Sequence, residues 1–174
     1  MPIRRPFNFK QWIDEHRQLL KPPVGNQCVY DANDFIVMVV GGPNSRKDYH
    51  WDEGEELFYQ LEGDITVKIQ EGGKAVDVPI REGEMFLLPP RVPHNPVRGE
   101  KTIGMVIERK RREGEKDGLM WFCENCNNKL YEEYFALEDI TTQFQGVFKR
   151  FYGSEELRSC KNCGGVMDPP PVSS

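Results

Sequence analysis

The middle of the chain is a series of short apolar or alternating segments separated by turn residues. "FIVMVV" ends at Gly41-Gly42-Pro43, and "DITVKIQ" alternates between apolar and polar residues, turns at "EGGK" and continues as "AVDVPI". "MFLLPP" and "TIGMVIE" complete the series, and no helical pattern separates the segments. Strands that follow one another at intervals of about ten residues predict an all-β sandwich or barrel.

Both ends of the chain show helical patterns instead. Asn8 is a favourable N-cap, Gln11 completes a capping-box pattern, and Pro22-Pro23 ends the apolar periodicity, which predicts a short amphipathic helix. Near the other end, a stripe of apolar residues at helical spacing predicts a helix packed against the barrel. The stripe consists of Ile140, Phe144, Val147, Phe148 and Phe151.

The composition fits a folded protein with little affinity for polyanions. Of the 174 residues, 38% are hydrophobic and 29% are charged, and the formal net charge is −5. We therefore expect no nucleic-acid partner and no binding to anionic membranes. The basic run Arg109-Lys110-Arg111-Arg112 stands beside Glu113 and Glu115, and we interpret it as a solvated loop.

Cellular location follows from two sequence features. The N-terminus lacks the apolar core of a signal peptide, and the longest clear apolar run is too short to span a bilayer. We therefore expect a cytoplasmic protein whose thiols stay reduced. Five cysteines in such a protein favour metal binding over disulfides.

The polar segment "REGEKDG" divides the chain into two predicted parts. Residues 1–112 would form the barrel with its N-terminal helix, and residues 113–174 would form a C-terminal segment that carries most of the cysteines. Two C-x-x-C pairs predict a tetrahedral four-thiolate site for zinc or iron, and four unrelated thiols are the alternative. The pairs are Cys123 with Cys126 and Cys160 with Cys163. Cys28 is left over and is expected to be buried.

Two of the three histidines lie at matched boundaries between strands and turns. His50 follows the Gly-Gly-Pro turn, His94 ends "GEMFLLPPRVPH", and Glu56 stands at the start of an apolar run. If the barrel brings them together, they form a site of two histidines and one carboxylate with open positions, which suits Fe(II). The alternative is that both histidines are ordinary turn residues and Glu56 is solvated.

The spacing of these residues resembles the two motifs of the cupin barrel, a jelly roll. Asp52 stands where the first motif has a second histidine, and Arg91 stands at the usual glycine of the second motif. The matching residues are His50, Glu56, Gly63, Gly83, Pro89 and His94.

Longer strings resemble one family more closely. "LLKPPVGN", "FIVMVVGGPNSRKDYH", "EELFYQLEGD", "FLLPPRVPHNPVR" and "VIER", with the two cysteine pairs behind them, are similar to the 3-hydroxyanthranilate 3,4-dioxygenase family of single-domain microbial type. The resemblance implies an enzyme that opens the ring of 3-hydroxyanthranilate with O₂. Its product, 2-amino-3-carboxymuconate semialdehyde, would cyclise to quinolinate in tryptophan degradation and NAD biosynthesis. A homodimer is also implied.

The same resemblance implies roles for individual residues. It implies that Fe(II) is held by the two histidines and Glu56, which also lies next to the substrate, and that a second Fe or Zn ion at the cysteines is structural and rubredoxin-like. Arg98 would bind the substrate carboxylate, Glu108 would accept a hydrogen bond from the substrate, and Arg46 would lie on the oxygen side. Asp48 is expected to orient a metal ligand.

Two other classes of protein stay compatible with the residues. Another metal-dependent cupin dioxygenase would keep the iron ligands but act on a different aromatic substrate. A non-enzymatic zinc-ribbon adaptor would keep only the cysteines beside a metal-free barrel. Metal content, together with loss of 3-hydroxyanthranilate absorbance in air with added Fe(II), separates the three.

Overall fold

Strands dominate the described residues, 5–22, 25–31, 34–137 and 140–170, of this computed structural model. In chain order the strands are β1 (Asn26–Asp31), β2 (Phe35–Gly41), β3 (Tyr49–Trp51), β4 (Glu56–Glu62), β5 (Ile65–Glu71), β6 (Lys74–Ile80), β7 (Met85–Leu88), β8 (His94–Arg98), β9 (Ile103–Arg109), β10 (Asp117–Phe122) and β11 (Lys129–Phe135). They pair antiparallel in two sheets, ordered β1-β2-β9-β4-β7 and β11-β10-β3-β8-β5-β6. The predicted all-β jelly-roll fold is confirmed.

Alternating side chains bring the two sheets together around one core. In β5, Ile65, Val67 and Ile69 are buried while the residues between them are more exposed, as a strand with one inward face requires. They meet Phe58 and Val106 of the other sheet in one apolar cluster. The interior that holds the candidate site therefore lies between the two sheets.

The N-terminal helix covers the outer side of the first sheet. α1 (Phe9–His16) begins after Asn8, whose side-chain oxygen accepts a hydrogen bond from the backbone of Gln11 at 3.0 Å. Only this half of the capping box forms, because the side chain of Gln11 donates to Glu15 instead. Ile13 of α1 is buried in a cluster with Val29, Val39 and Ile103. The predicted helix is confirmed, while Pro23, part of its expected stop signal, lies outside the described residues.

The C-terminal helix packs on β10, as its apolar stripe predicts. α2 (Ile140–Tyr152) is followed by α3 (Glu155–Arg158). Phe144, Val147 and Phe151 of α2 are buried against Leu119 and Trp121, and the rings of Trp121 and Phe151 stack with centroids 4.3 Å apart. The side chain of Ile140, which the sequence places in the same stripe, lies outside the described part.

Strand β10 lies beside β3 in the second sheet, so residues after 112 complete a sheet that earlier residues begin. Whether residues 1–112 and 113–174 are separate domains stays a prediction.

Cys28 contradicts its predicted burial, because it is exposed on β1. The register between β1 and β2 shifts between Cys28 and Tyr30, and Val29 between them is buried against α1 instead. Within the described ranges, no helix is long and apolar enough to cross a membrane.

Candidate metal and substrate site

Each sheet contributes a pair of polar side chains to the interior. His50 of β3 is the register partner of His94 of β8, and Glu56 of β4 is the partner of Glu108 of β9. Partners in register stand side by side on the same face of a sheet. The two pairs come from opposite sheets and meet between them, so four residues from four strands converge on one point.

His50, Glu56 and His94 present their donor atoms at metal-binding distances. Glu56 Oε1 lies 3.4 Å from His50 Nδ1 and 3.2 Å from His94 Nε2. Ligand atoms about 2.1 Å from a common ion and at right angles to one another lie about 3 Å apart, so the three fit one metal ion. Glu56 and His94 are buried, which limits the access of water to the ligands.

Each histidine makes a hydrogen bond on the side of its ring away from Glu56. This bond determines which ring nitrogen faces Glu56. His50 Nε2 lies 2.7 Å from Asp117 Oδ1, and His94 Nδ1 lies 3.0 Å from the carbonyl oxygen of Val92. A carboxylate or carbonyl oxygen only accepts, so these nitrogens carry the protons. In the neutral form of each ring, the opposite nitrogen has a lone pair that faces Glu56, as metal ligation requires.

Asp117 and Arg111 belong to the site, which the sequence interpretation missed. Arg111 donates to both oxygens of Asp117, at 3.0 and 2.6 Å, and to Glu108 at 2.7 Å. It also reaches Asp52 at 3.2 Å, and only 15% of its side chain is exposed. The interpretation of this part of the basic run as a solvated loop is therefore wrong.

At these ionisable groups, burial and the neighbouring charges shift the pKa in opposite directions. Burial alone would lower the pKa of His50, but Asp117 and Glu56 outweigh it and raise the pKa to about 10. Burial would raise the pKa of Asp117, but hydrogen bonds from His50 and Arg111 lower it. At Glu108, burial raises the pKa despite the charge of Arg111. A metal ion bound here displaces a proton from His50, so metal binding and protonation compete.

Arg98 lies deep in the same cavity with most of its hydrogen-bonding capacity unused. It is 3% exposed, and burial lowers its pKa to about 10. Within the described residues, its guanidinium group makes one long hydrogen bond, 3.4 Å to Gln60 Oε1. A guanidinium has five N–H donors, so a buried one with a single partner is suited to bind an anion.

Arg46 lines the cavity with 48% of its side chain exposed, so it lies where the cavity opens to solvent. Its guanidinium group pairs with the buried carboxylate of Asp48. It also lies 5.6 Å from the ring centroids of both Phe144 and Phe148 on α2. The expectation that Asp48 orients a metal ligand is therefore wrong: Asp48 binds Arg46, and Asp117 approaches His50.

The cavity that contains these groups is lined by both polar and apolar side chains. Its volume of about 150 Å³ is close to that of a cavity that accepts one benzene ring. The polar lining includes the histidines, Glu56, Glu108, Arg98 and Arg46, and the apolar lining consists of Met38, Val40, Phe58, Pro96, Val106 and Phe144. A flat ring with polar substituents matches this mixed lining.

The four cysteines of the C-x-x-C pairs converge at a second place. Cys123 Sγ lies 3.6 Å from Cys163 Sγ, and Cys126 Sγ lies 3.5 Å from Cys160 Sγ. All four sulfurs lie within 4.8 Å of one another. Sulfurs about 2.3 Å from one tetrahedral ion lie about 3.8 Å apart, so this cluster fits a zinc or iron ion.

One sequence signal could have revealed Asp117. "DGLMWF" is an acid followed by a continuous apolar run, which is the same pattern that marks Glu56 at the start of β4. Arg111 has no comparable signal, because a basic run beside acids has the same composition whether it is solvated or buried.

Comparison with known proteins shows which proteins this chain is similar to. The family model described as 3-hydroxyanthranilic acid dioxygenase matches residues 1–152. A 3-hydroxyanthranilate 3,4-dioxygenase of Xanthomonas euvesicatoria pv. vesicatoria is 57% identical over 165 residues, 95% of this chain and 93% of that protein. One from Jannaschia sp. is 53% identical over 168 residues, 94% of this chain and 93% of that protein. Among solved structures, a cupin-2 domain protein from Shewanella frigidimarina has a TM-score of 0.49 and 20% identity, covering 60% of this chain and 94% of that chain.

Proposed function

The chain belongs to the 3-hydroxyanthranilic acid dioxygenase family, and from this premise we propose how its residues perform that reaction. The enzyme is an oxidoreductase that opens the ring of 3-hydroxyanthranilate and inserts both atoms of O₂. We assign metal binding to His50, Glu56 and His94, with Fe(II) as the ion. The observation that carries this assignment is the convergence of their three donor atoms at 3.2–3.4 Å in a buried cavity.

The choice of ligands follows from where Arg111 lies. Among the described residues of the barrel, three overlapping groups of side chains bring metal-binding atoms within 4.8 Å of one another. Two of the groups contain Asp52, which Arg111 contacts. A cation bound in either would lie against the guanidinium charge, which is unfavourable at such distances. The remaining group is His50, Glu56 and His94.

The residues around the ligands can hold the substrate in one orientation. Arg98 can bind the carboxylate with two parallel hydrogen bonds, which fixes both the position and the rotation of the ring. Burial raises the pKa of Glu108, and its carboxylate can accept the proton of the substrate hydroxyl. Phe144 and Phe58 also line the cavity, where they can exclude water from the ring.

Fe(II), when bound, supplies a redox-active Lewis acid that lets O₂ react with the electron-rich aminophenol ring. Arg46 lies at the cavity opening, and we assign it to the oxygen side of the site. Since the substrate supplies the electrons, the reaction needs no flavin, nicotinamide or 2-oxoglutarate.

We assign a structural role to a second zinc or iron ion at the cysteine cluster. The cluster lies outside the cavity that contains Arg98 and the histidines, and none of its residues lines that cavity. A homodimer and a cytoplasmic location stay predictions. A non-enzymatic adaptor is not favoured, because relatives that match nearly the whole chain are named dioxygenases.

The metal assignment is tested with two histidine variants. His94→Ala should lose the barrel metal and ring opening, because it removes one of three ligands. His16→Ala is the matched control, since His16 stacks on Trp12 in α1, remote from the cavity. Metal content and loss of 3-hydroxyanthranilate absorbance in air are measured for both. Near-normal activity of His94→Ala without barrel metal would contradict the assignment.

A further inference from the structure

Three acidic residues lie close together at the metal site, and a nearby positive charge is needed to offset the repulsion between them. Asp52, Glu56 and Glu108 bring carboxylate oxygens within 4.8 Å of one another, and all three residues have low exposure. Carboxylates this close repel one another and favour protonation of at least one of them. The side chain of Arg111 enters this volume from the segment between β9 and β10, and it contacts Glu108 and Asp52 directly.

Arg111 also affects the orientation of the metal ligand His50, and it does so through Asp117. Asp117 is fully buried, and its Oδ1 atom accepts hydrogen bonds from both Arg111 and His50. Both oxygens of Asp117 are bound by the Arg111 fork, at 3.0 and 2.6 Å. A carboxylate held in this way has little freedom to rotate, so the His50 ring that it binds is held as well.

We propose that Arg111 and Asp117 are positioning residues, with Arg111 orienting the metal ligand His50 through Asp117 and the base Glu108 directly. This proposal rests on the proposed function, because it concerns the residues assigned there as metal ligand and as base, His50 and Glu108. Neither residue needs to touch the substrate. A lysine at position 111 would restore the charge but not the fork, because an ammonium group is a single point of contact.

The two contacts of Arg111 predict separable effects. Loss of the carboxylate–histidine contact weakens metal binding, and comparable losses of such partners lower affinity by about 10–100-fold. Loss of the contact to Glu108 lowers kcat even when the metal site is saturated. KM for 3-hydroxyanthranilate should change little, because Arg98 binds the carboxylate independently of this network.

The test measures Mn²⁺ binding and kinetics on the same proteins. Mn²⁺ prefers oxygen and nitrogen ligands over thiolates, so protein with zinc at the cysteine cluster reports on the barrel site. Asp117→Asn keeps the shape of the side chain and should bind Mn²⁺ about 10–100-fold more weakly. Arg111→Ala should lose affinity to a similar degree and kcat as well. Arg111→Lys should recover only part of either loss.

Arg109→Ala is the matched control from the same basic run. Arg109 holds Glu115 with two hydrogen bonds, at 2.6 and 2.7 Å, and does not line the metal cavity. It should keep wild-type affinity and kcat. The proposal is overturned if Arg109→Ala loses as much as Arg111→Ala, or if Asp117→Asn binds Mn²⁺ like the wild type. A wild-type protein that bound no metal in the barrel would instead overturn the proposed function.

Discussion

Arg98 is the side chain on which substrate specificity should depend. 3-Hydroxyanthranilate differs from 2-aminophenol by one carboxylate, and Arg98 is a buried cation with one long hydrogen bond. Hydrogen bonds to a charged group contribute about 1.5–3 kcal/mol each. Arg98→Ala should therefore lower kcat/KM for 3-hydroxyanthranilate by on the order of 10²-fold or more.

The comparison with 2-aminophenol makes this prediction specific. The variant should lose little further activity with 2-aminophenol, which has no carboxylate to bind. Steady-state kinetics of both proteins with both substrates measure the difference. An equal loss with the two substrates would mean that Arg98 supports the fold or the metal, and not the carboxylate.

Single residues also show what the sequence could and could not predict. The spacing of His50, Glu56 and His94 predicted residues that the fold brings together: Glu56 and His94 begin their strands, and His50 is the middle residue of the short strand β3. Asp117 was missed because its contact with His50 spans 67 positions of sequence. Arg111 was missed although Glu108 and Asp117 are three and six positions away, because the composition of a basic run does not show which of its side chains the fold buries.

Strand β9 needs a glycine where it faces Arg98. Gly104 is the register partner of Gln60, and a Cβ atom at Gly104 would lie 2.7 Å from Gln60 Oε1 and 2.9 Å from Arg98 Nη1. Gly104→Ala must therefore displace the guanidinium group. Because misplacement by about 1 Å can lower a rate up to 10²-fold, kcat/KM for 3-hydroxyanthranilate should fall by roughly 10- to 100-fold.

Gly99→Ala is the control for this substitution. It lies just after β8, and no atom outside its chain neighbours comes within 4 Å of its added Cβ. Its kinetics should match the wild type, and thermal melting of both variants shows whether stability changes. If Gly104→Ala retains wild-type kcat/KM, the space at Gly104 does not determine the position of Arg98.

Strands with a clear alternation of apolar and polar residues were predicted, whereas two shorter strands without such alternation, β3 and β8, were not. β5 and β6 alternate over seven residues each, and both were predicted. β3 has three residues, too few for a period to show. β8 contains Pro96, which is unusual inside a sheet. These two strands carry His50 and His94. The two histidines were therefore easier to recognise in the sequence than the strands to which they belong.

The cysteine cluster should stabilise the whole molecule without taking part in catalysis. Its loop is joined to the barrel, since the side-chain amides of Asn127 and Gln70 exchange hydrogen bonds of 2.8 and 2.9 Å. Cys126→Ser removes one exposed thiolate. In a chain of this size each kcal/mol lowers Tm by roughly 2–4 °C, and we expect a fall of at least about 5 °C.

The same variant should keep its barrel metal and its activity per barrel metal. Cys28→Ser is the control, because Cys28 is also exposed but lies outside the cluster. Calorimetry, metal analysis and kinetics on the folded proteins provide the three measurements. A loss of activity per barrel metal as large as that of His94→Ala would place the cysteine metal in the reaction.

Strand β3 lies between two strands that are synthesised much later. It pairs with β8 and β10, and the contact of His50 with Asp117 closes a loop of 67 positions. A growing polypeptide therefore cannot complete the surroundings of His50 until β10 has left the ribosome, when most of the chain has been made. A nascent chain therefore cannot fix the orientation of His50 before β10 has emerged, so the centre that reacts with O₂ is completed later than the strands that carry its three proposed ligands.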